Sequence, residues 1–237
     1  MVLIDMAQAS LRKIGQNLSE LVYDQIRRDI IYGLWLPAKK LNIEKLSEHY
    51  EVGIVPLREA LNRLSSESLV ERKSNRGFYV ASISVSEMEE LVKTRIWLET
   101  LALRKSLNNR NQNWEEDLLL AGHRLTRTQR YVVKDDKKVF SDDWEIRHKQ
   151  FHCALISMCG SKWLLEFCSN LMDQSVRYRN ISMNLAPSQN RREGANDEHQ
   201  EILDAALVND VDAACSLLTV HYEKTLAGLR DTIRDEM

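Results

Sequence analysis

The sequence predicts a mainly α-helical chain in two parts. An N-terminal winged helix-turn-helix carries a small β-hairpin, and a larger C-terminal all-α bundle of about six helices follows. Three observations predict this. Apolar residues recur at helical spacing along most of the 237 residues, broken by only 8 Gly and 3 Pro. Two short helical patterns with a tight joint run through Leu46–Leu64. Directly after them come two short β-prone runs, Leu69–Lys73 and Phe78–Ala81, with Ser74–Gly77 turning between them.

The elements follow in order. Residues 1–17 are mixed and weakly patterned and are expected to be a flexible arm. Leu18 to about Tyr32 carries Leu18, Leu21, Val22, Ile26, Ile30 and Ile31 at helical spacing, ended by Gly33. Trp35-Leu36-Pro37 reads as an apolar connector. Ile43, Leu46 and Tyr50 mark the next helix, with Asn42 as its cap. Gly53 is expected to supply the bend, and Pro56 fits the first turn of the following helix. Leu57, Leu61 and Leu64 form that helix's inward stripe, so Arg58, Asn62 and Arg63 face away. The second helix of such a pair reads DNA, and the hairpin beyond is its wing. This module spans 18–81.

Ser84-Val85-Ser86-Glu87 is a capping-box pattern opening a long helix. Further helical patterns cover about 114–132, 143–158, 162–183, 191–208 and 211–232, with Asp210 as a cap for the last. Residues 84–233 are thus expected to form one all-helical domain, a bundle of about six helices.

Charge and composition limit the function. Net charge is −2. Residues 1–81 hold 12 Lys+Arg against 10 Asp+Glu, and the remainder is acidic. DNA affinity must come from a local patch and from pairing two copies. Arg58, Asn62 and Arg63 on the reader helix, with Lys73 and Arg76 at the wing, are the candidate DNA contacts. The 4 Cys show no C-x-x-C spacing and read as reduced core thiols. No signal peptide or apolar run of membrane-spanning length is seen, so a cytoplasmic protein with no membrane partner is expected.

Val55-Pro56-Leu57-Arg58-Glu59-Ala60-Leu61, then Leu64, Leu69-Val70 and Gly77, resembles the signature of the GntR family of bacterial transcription regulators. With its helical remainder the chain resembles the FadR subfamily, whose sensor domain is called FCD. The resemblance covers roughly residues 18–232. It implies a homodimer on a palindromic DNA operator, acting as repressor rather than activator and responding to a small organic acid. Some positions depart from the pattern. Glu44 and Ile54 stand where the subfamily's name-giving member has arginines, and Val55 and Pro56 replace hydroxyl residues. The operator sequence therefore does not carry over.

Histidines form the second constellation. His148 and His152 are i, i+4 on one helix, and His199 and His221 fall on the last two helices. Imidazoles suit a divalent metal, Zn²⁺ or Ni²⁺ foremost. The FCD resemblance implies a metal held by an Asp-x-x-x-His pair and two further histidines. His152, His199 and His221 match, but His148 occupies the Asp slot, with Glu145 one turn earlier as a carboxylate alternative. His49 and His123 read as surface residues.

Arg95 and Glu99 resemble the family's Arg-x-x-x-Glu pair on the first bundle helix, and Arg177 and Arg179 lie in Ser-Val-Arg-Tyr-Arg. A guanidinium facing a metal would clamp a carboxylate effector. The run Trp144–His152 with that Arg-Tyr-Arg resembles the carbon-starvation, CsiR-like branch, which would favour a short dicarboxylate. The competing reading is a metal-dependent hydrolase using the histidine cluster. The zinc-peptidase motif puts Glu directly after its first His, whereas Lys149 stands here, so no enzyme is expected.

Overall fold

The computed structural model of the chain describes residues 18–134, 137–185 and 195–236. The expected arm, 1–17, lies outside these residues, as does the start of the helix expected over 191–208. The chain divides into two compact units, Met1–Ile83 and Ser84–Met237.

In the first unit, α1 is helical from residue 18 to 31 and Gly33 leaves it at φ 80°. Then follow β1 (Lys40–Leu41), α2 (Ile43–His49), α3 (Ile54–Ser66), β2 (Val70–Lys73) and β3 (Gly77–Val80). The wing is thus a three-stranded antiparallel sheet in the order β1-β3-β2, with Lys40 opposite Tyr79 and Val70 opposite Val80. The strand β1 continues what the sequence suggested was only a connector. Val22, Ile26, Leu46, Leu57, Leu61, Leu64 and Val80 pack as one core.

Asn42 caps α2 by accepting from the Lys45 amide at 3.0 Å. The joint differs from expectation. Gly53 sits at φ −66° as the N-cap of α3, and Glu51 takes the left-handed turn at φ 54°. The Ser47 hydroxyl donates to the Val52 carbonyl at 2.5 Å, closing the loop locally and tolerating a non-glycine turn residue.

The second unit holds α4 (Val85–Asn108), α5 (Gln112–Arg127), β4 (Tyr131–Lys134), β5 (Lys137–Phe140), α6 (Asp142–Ile156), α7 (Lys162–Leu185), α8 (Ala195–Leu207) and α9 (Val211–Glu236). Among the described residues this is a bundle of six helices. α4 lies along α7 and α9, while α5 lies along α6 and α8. Ser84 accepts from the Glu87 amide at 3.0 Å, and the Glu87 carboxylate takes the Tyr178 hydroxyl at 3.0 Å. Asp210 accepts from the Ala213 amide at 3.0 Å to start α9.

The helix expected over 114–132 stops at Arg127, and Tyr131–Lys134 pairs with Lys137–Phe140 as a hairpin. Thr128 turns to extended backbone (φ −93°, ψ 128°), and β-branched Val132 and Val133 suit strand geometry. Gly122 is buried, and a Cβ there would stand 2.8 Å from Leu203, so its absence lets α8 approach α5 closely. Cys159, Cys168 and Cys215 are buried and Cys153 is half-buried, all as free thiols. Burial pushes Cys168 up to about 12.

Candidate functional site

On α3 the apolar stripe Leu57, Ala60, Leu61 and Leu64 is buried, which turns the opposite face outward. Arg58 and Asn62, one turn apart, are exposed there. Arg58 has no ion-pair partner among the described residues. Arg63 folds back on its own module. Its guanidinium lies 3.7 Å from the Tyr23 ring centre and 3.8 Å from Glu67, which also accepts from Arg27 and from Tyr23. Burial and the Glu67 carboxylate push the Tyr23 hydroxyl up to about 12. At the wing, Lys73 lies 4.7 Å from the Tyr79 ring centre and 3.6 Å from Glu71, while Arg76 is exposed in the turn.

The second unit gathers its histidines. Ser141 caps α6 through the Trp144 amide, and Asp142, Asp143 and Glu145 place acid in its first turn. Trp144, His148, Phe151, His152 and Leu155 then form one buried stripe. His199 of α8 and His221 of α9 meet it. Each of His148, His152, His199 and His221 offers a ligand atom within 4.8 Å of the others, and all four are buried. The Nε2 atoms of His148 and His152 stand 3.2 Å apart.

Their partners decide what they can do. His221 Nδ1 lies 2.8 Å from Glu198 and His152 Nδ1 lies 3.0 Å from the Tyr222 hydroxyl. That hydroxyl donates to Glu99 at 2.5 Å and accepts from Arg95 at 3.0 Å. It therefore serves His152 best as an acceptor, which assigns the imidazole proton to Nδ1 and leaves the Nε2 lone pair facing the cluster. Glu198 assigns His221 in the same way. Burial, then the neighbouring imidazoles and Arg179, hold His148 well below the usual histidine range, and burial and the same kind of neighbours do so for His152. The donor set is buried and nitrogen-rich, with His152 and His221 oriented by their partners, which fits a divalent transition metal. The cavity beside it has about 10 Å³ of free volume, room for an ion or a water.

Glu145 is not part of this set. Both its oxygens take Arg179, at 3.1 and 2.5 Å, whereas His148 stands within the histidine cluster. Of the arginines expected at the effector, Arg95 and Arg179 line the cleft with His148, His199 and His221. Arg177 does not line it. Two residues apart on a helix, Arg177 and Arg179 point in different directions. Glu99 stands behind Arg95, 2.7 Å from its Nε, and is fully buried.

Four cleft residues were not among the site residues expected from the sequence: Arg130, Trp144, Tyr222 and Thr225, Trp144 having entered only as the start of a motif run. Arg130 stands over Trp144 at 4.7 Å, and Trp144 stacks on His148 at 4.5 Å. Burial lowers the Arg130 pKa. Tyr222 had a signal in its place beside His221, whereas Arg130 was hidden in a segment read as helix. Lys149, at the position a peptidase gives its general base, is tied to Asp173 at 2.7 Å.

A family model described as "FCD domain" matches residues 90–224, and one described as "Bacterial regulatory proteins, gntR family" matches residues 18–80. The chain is 36% identical over 216 residues to the uncharacterized HTH-type transcriptional regulator BphR of Paraburkholderia xenovorans (strain LB400), covering 91% of this chain and 86% of the relative. It is 32% identical over 200 residues to the HTH-type transcriptional repressor GlaR of Escherichia coli (strain K12), covering 84% and 90%. Among solved structures, E. coli McbR/YncC superposes with a TM-score of 0.73 over 91% of this chain and 98% of that one, at 19% identity, a likeness of fold. The relatives are regulators and the hydrolase reading falls away. This chain belongs to the GntR family of DNA-binding bacterial transcription regulators, with an FCD domain as its second unit.

Proposed function

We propose that this regulator is a repressor of the FadR subfamily whose operator affinity is set by a small carboxylate bound beside a divalent metal in the helical unit. The observation that carries this is the cluster of four buried imidazoles opening on a cleft lined by Arg95, Arg130 and Arg179. His148, His152, His199 and His221 would hold Zn²⁺ or Ni²⁺. The metal would supply a Lewis-acidic positive centre for a carboxylate oxygen. Arg95, Arg130 and Arg179, which line the same cleft, would supply positive charge for the effector's remaining oxygens.

The protein would act as a homodimer on a palindrome, because one reader helix and one wing contact few base pairs. An effector that favours a state with a different spacing of the two readers by a few kcal/mol would shift the population off DNA. The test is a mobility-shift titration of metal-loaded protein on its operator with a panel of mono- and dicarboxylates, alongside elemental analysis. Release by a carboxylate at about one metal equivalent is expected. Less than a tenth of an equivalent of metal after reloading, or operator binding indifferent to every acid, would sink this reading.

A further inference from the structure

The first turn of the reader helix carries Ile54 and Val55, which are 47% and 70% exposed. Both belong to the outward face. Arg58 follows at i+4 from Ile54 and i+3 from Val55, and Asn62 one turn later, whereas Leu57 and Leu61 are buried beneath. Two adjacent β-branched apolar side chains in that position do nothing for the module's core. They are poor helix formers besides. Arg58 and Arg76 supply charge for phosphates and guanine edges nearby, so the face presented to DNA is basic with an apolar lead. In the major groove the apolar group open to such contact is the C5-methyl of thymine.

We propose that Ile54 and Val55 read thymine methyl groups, and so determine part of this regulator's operator. Residues four apart on a helix are separated by about 6 Å along its axis, and base pairs stack at about 3.4 Å. The thymine therefore lies about two base pairs from the base that Arg58 contacts. Each half-site of the palindrome carries it, on the side approached by the start of α3. The apolar pair recognises A·T orientation by the methyl, a feature that a hydroxyl or guanidinium at these positions would not select.

The experiment begins with selection of bound sequences from a random duplex pool by the full-length protein. Each thymine of the selected duplex is then replaced in turn by uracil, which removes only the methyl group. Wild-type protein should lose about fourfold in affinity for each methyl that is buried, at one or two positions per half-site. The Ile54→Ala/Val55→Ala protein should bind thymine and uracil duplexes alike. Its melting temperature should match wild type, because both residues are exposed and their truncation leaves the core intact. Equal wild-type affinity for the thymine and uracil duplexes would overturn the assignment. So would selected half-sites with no thymine near the Arg58 contact, or a double variant that still distinguishes the methyl.

Discussion

Tyr222 Oη stands 3.0 Å from His152 Nδ1 and 2.5 Å from Glu99, so one hydroxyl joins the buried Arg95–Glu99 pair to the histidine cluster. Each atom of the chain has a fixed role. Glu99 accepts, the hydroxyl donates to it, and the imidazole proton is drawn to Nδ1. The lone pair on His152 Nε2 is thereby aimed at the other three histidines.

Tyr222→Phe keeps the ring and deletes the link. Metal affinity should fall by about 10- to 100-fold, as happens when a ligand's supporting hydrogen bond is removed. Competition with a chromogenic chelator measures it. An unchanged affinity would show that packing alone orients His152.

His152→Ala and His221→Ala each delete a donor and should abolish stoichiometric metal, read by elemental analysis. Glu145→Ala should not. Its carboxylate is committed to Arg179, with side-chain exposures of 1% and 7%. Losing it strands a buried guanidinium, at a cost of about 3–5 kcal/mol in denaturant unfolding. Loss of metal from folded Glu145→Ala protein would place that carboxylate at the metal after all.

His148 and His152 have folded-state pKa values held below the usual range by burial. The unfolded chain takes up protons near pH 6.5, where the folded metal-free chain does not. The stability of metal-free protein is thus complete above about pH 6.5 and falls as pH drops below it. Thermal melts of metal-free protein from pH 7.5 to 5 should show this slope, and His148→Phe/His152→Phe protein should flatten it. A wild-type melting temperature constant over that interval would contradict the burial argument.

Arg58→Ala should cost about 1–3 kcal/mol of operator affinity, the value of a base-edge contact. Arg63→Ala should act mostly on the fold, losing about 0.5–1 kcal/mol with the Tyr23 contact. Paired binding and melting curves separate the two. Equal loss of operator affinity for both, with Arg63→Ala as stable as wild type, would return Arg63 to the DNA face.

The sequence by itself determined the local elements and singled out the four histidines, leaving Glu145 open beside His148. Helical spacing marked α3 through Leu57, Leu61 and Leu64, and Asn42, Ser84 and Asp210 announced their helices because capping needs only the next few residues. His148 and His152 faced together for the same reason, being one turn apart. Tertiary structure decided the rest. The turn at Glu51 rather than Gly53 depends on the Ser47–Val52 bond that closes the loop. Strand β1 needed a partner 37 or more residues away, and the short strand β4 is legible only together with β5, the strand it pairs with. That Glu145 stands apart from the histidines depends on Arg179, 34 residues away, which holds both of its oxygens. Tyr222 and Arg130 became site residues only when α9 and the hairpin were brought against α6. Spacing along a chain reports which side chains share a helix face. It carries no record of the groups that other elements place opposite them, and those groups set proton positions, charges and ligand choice.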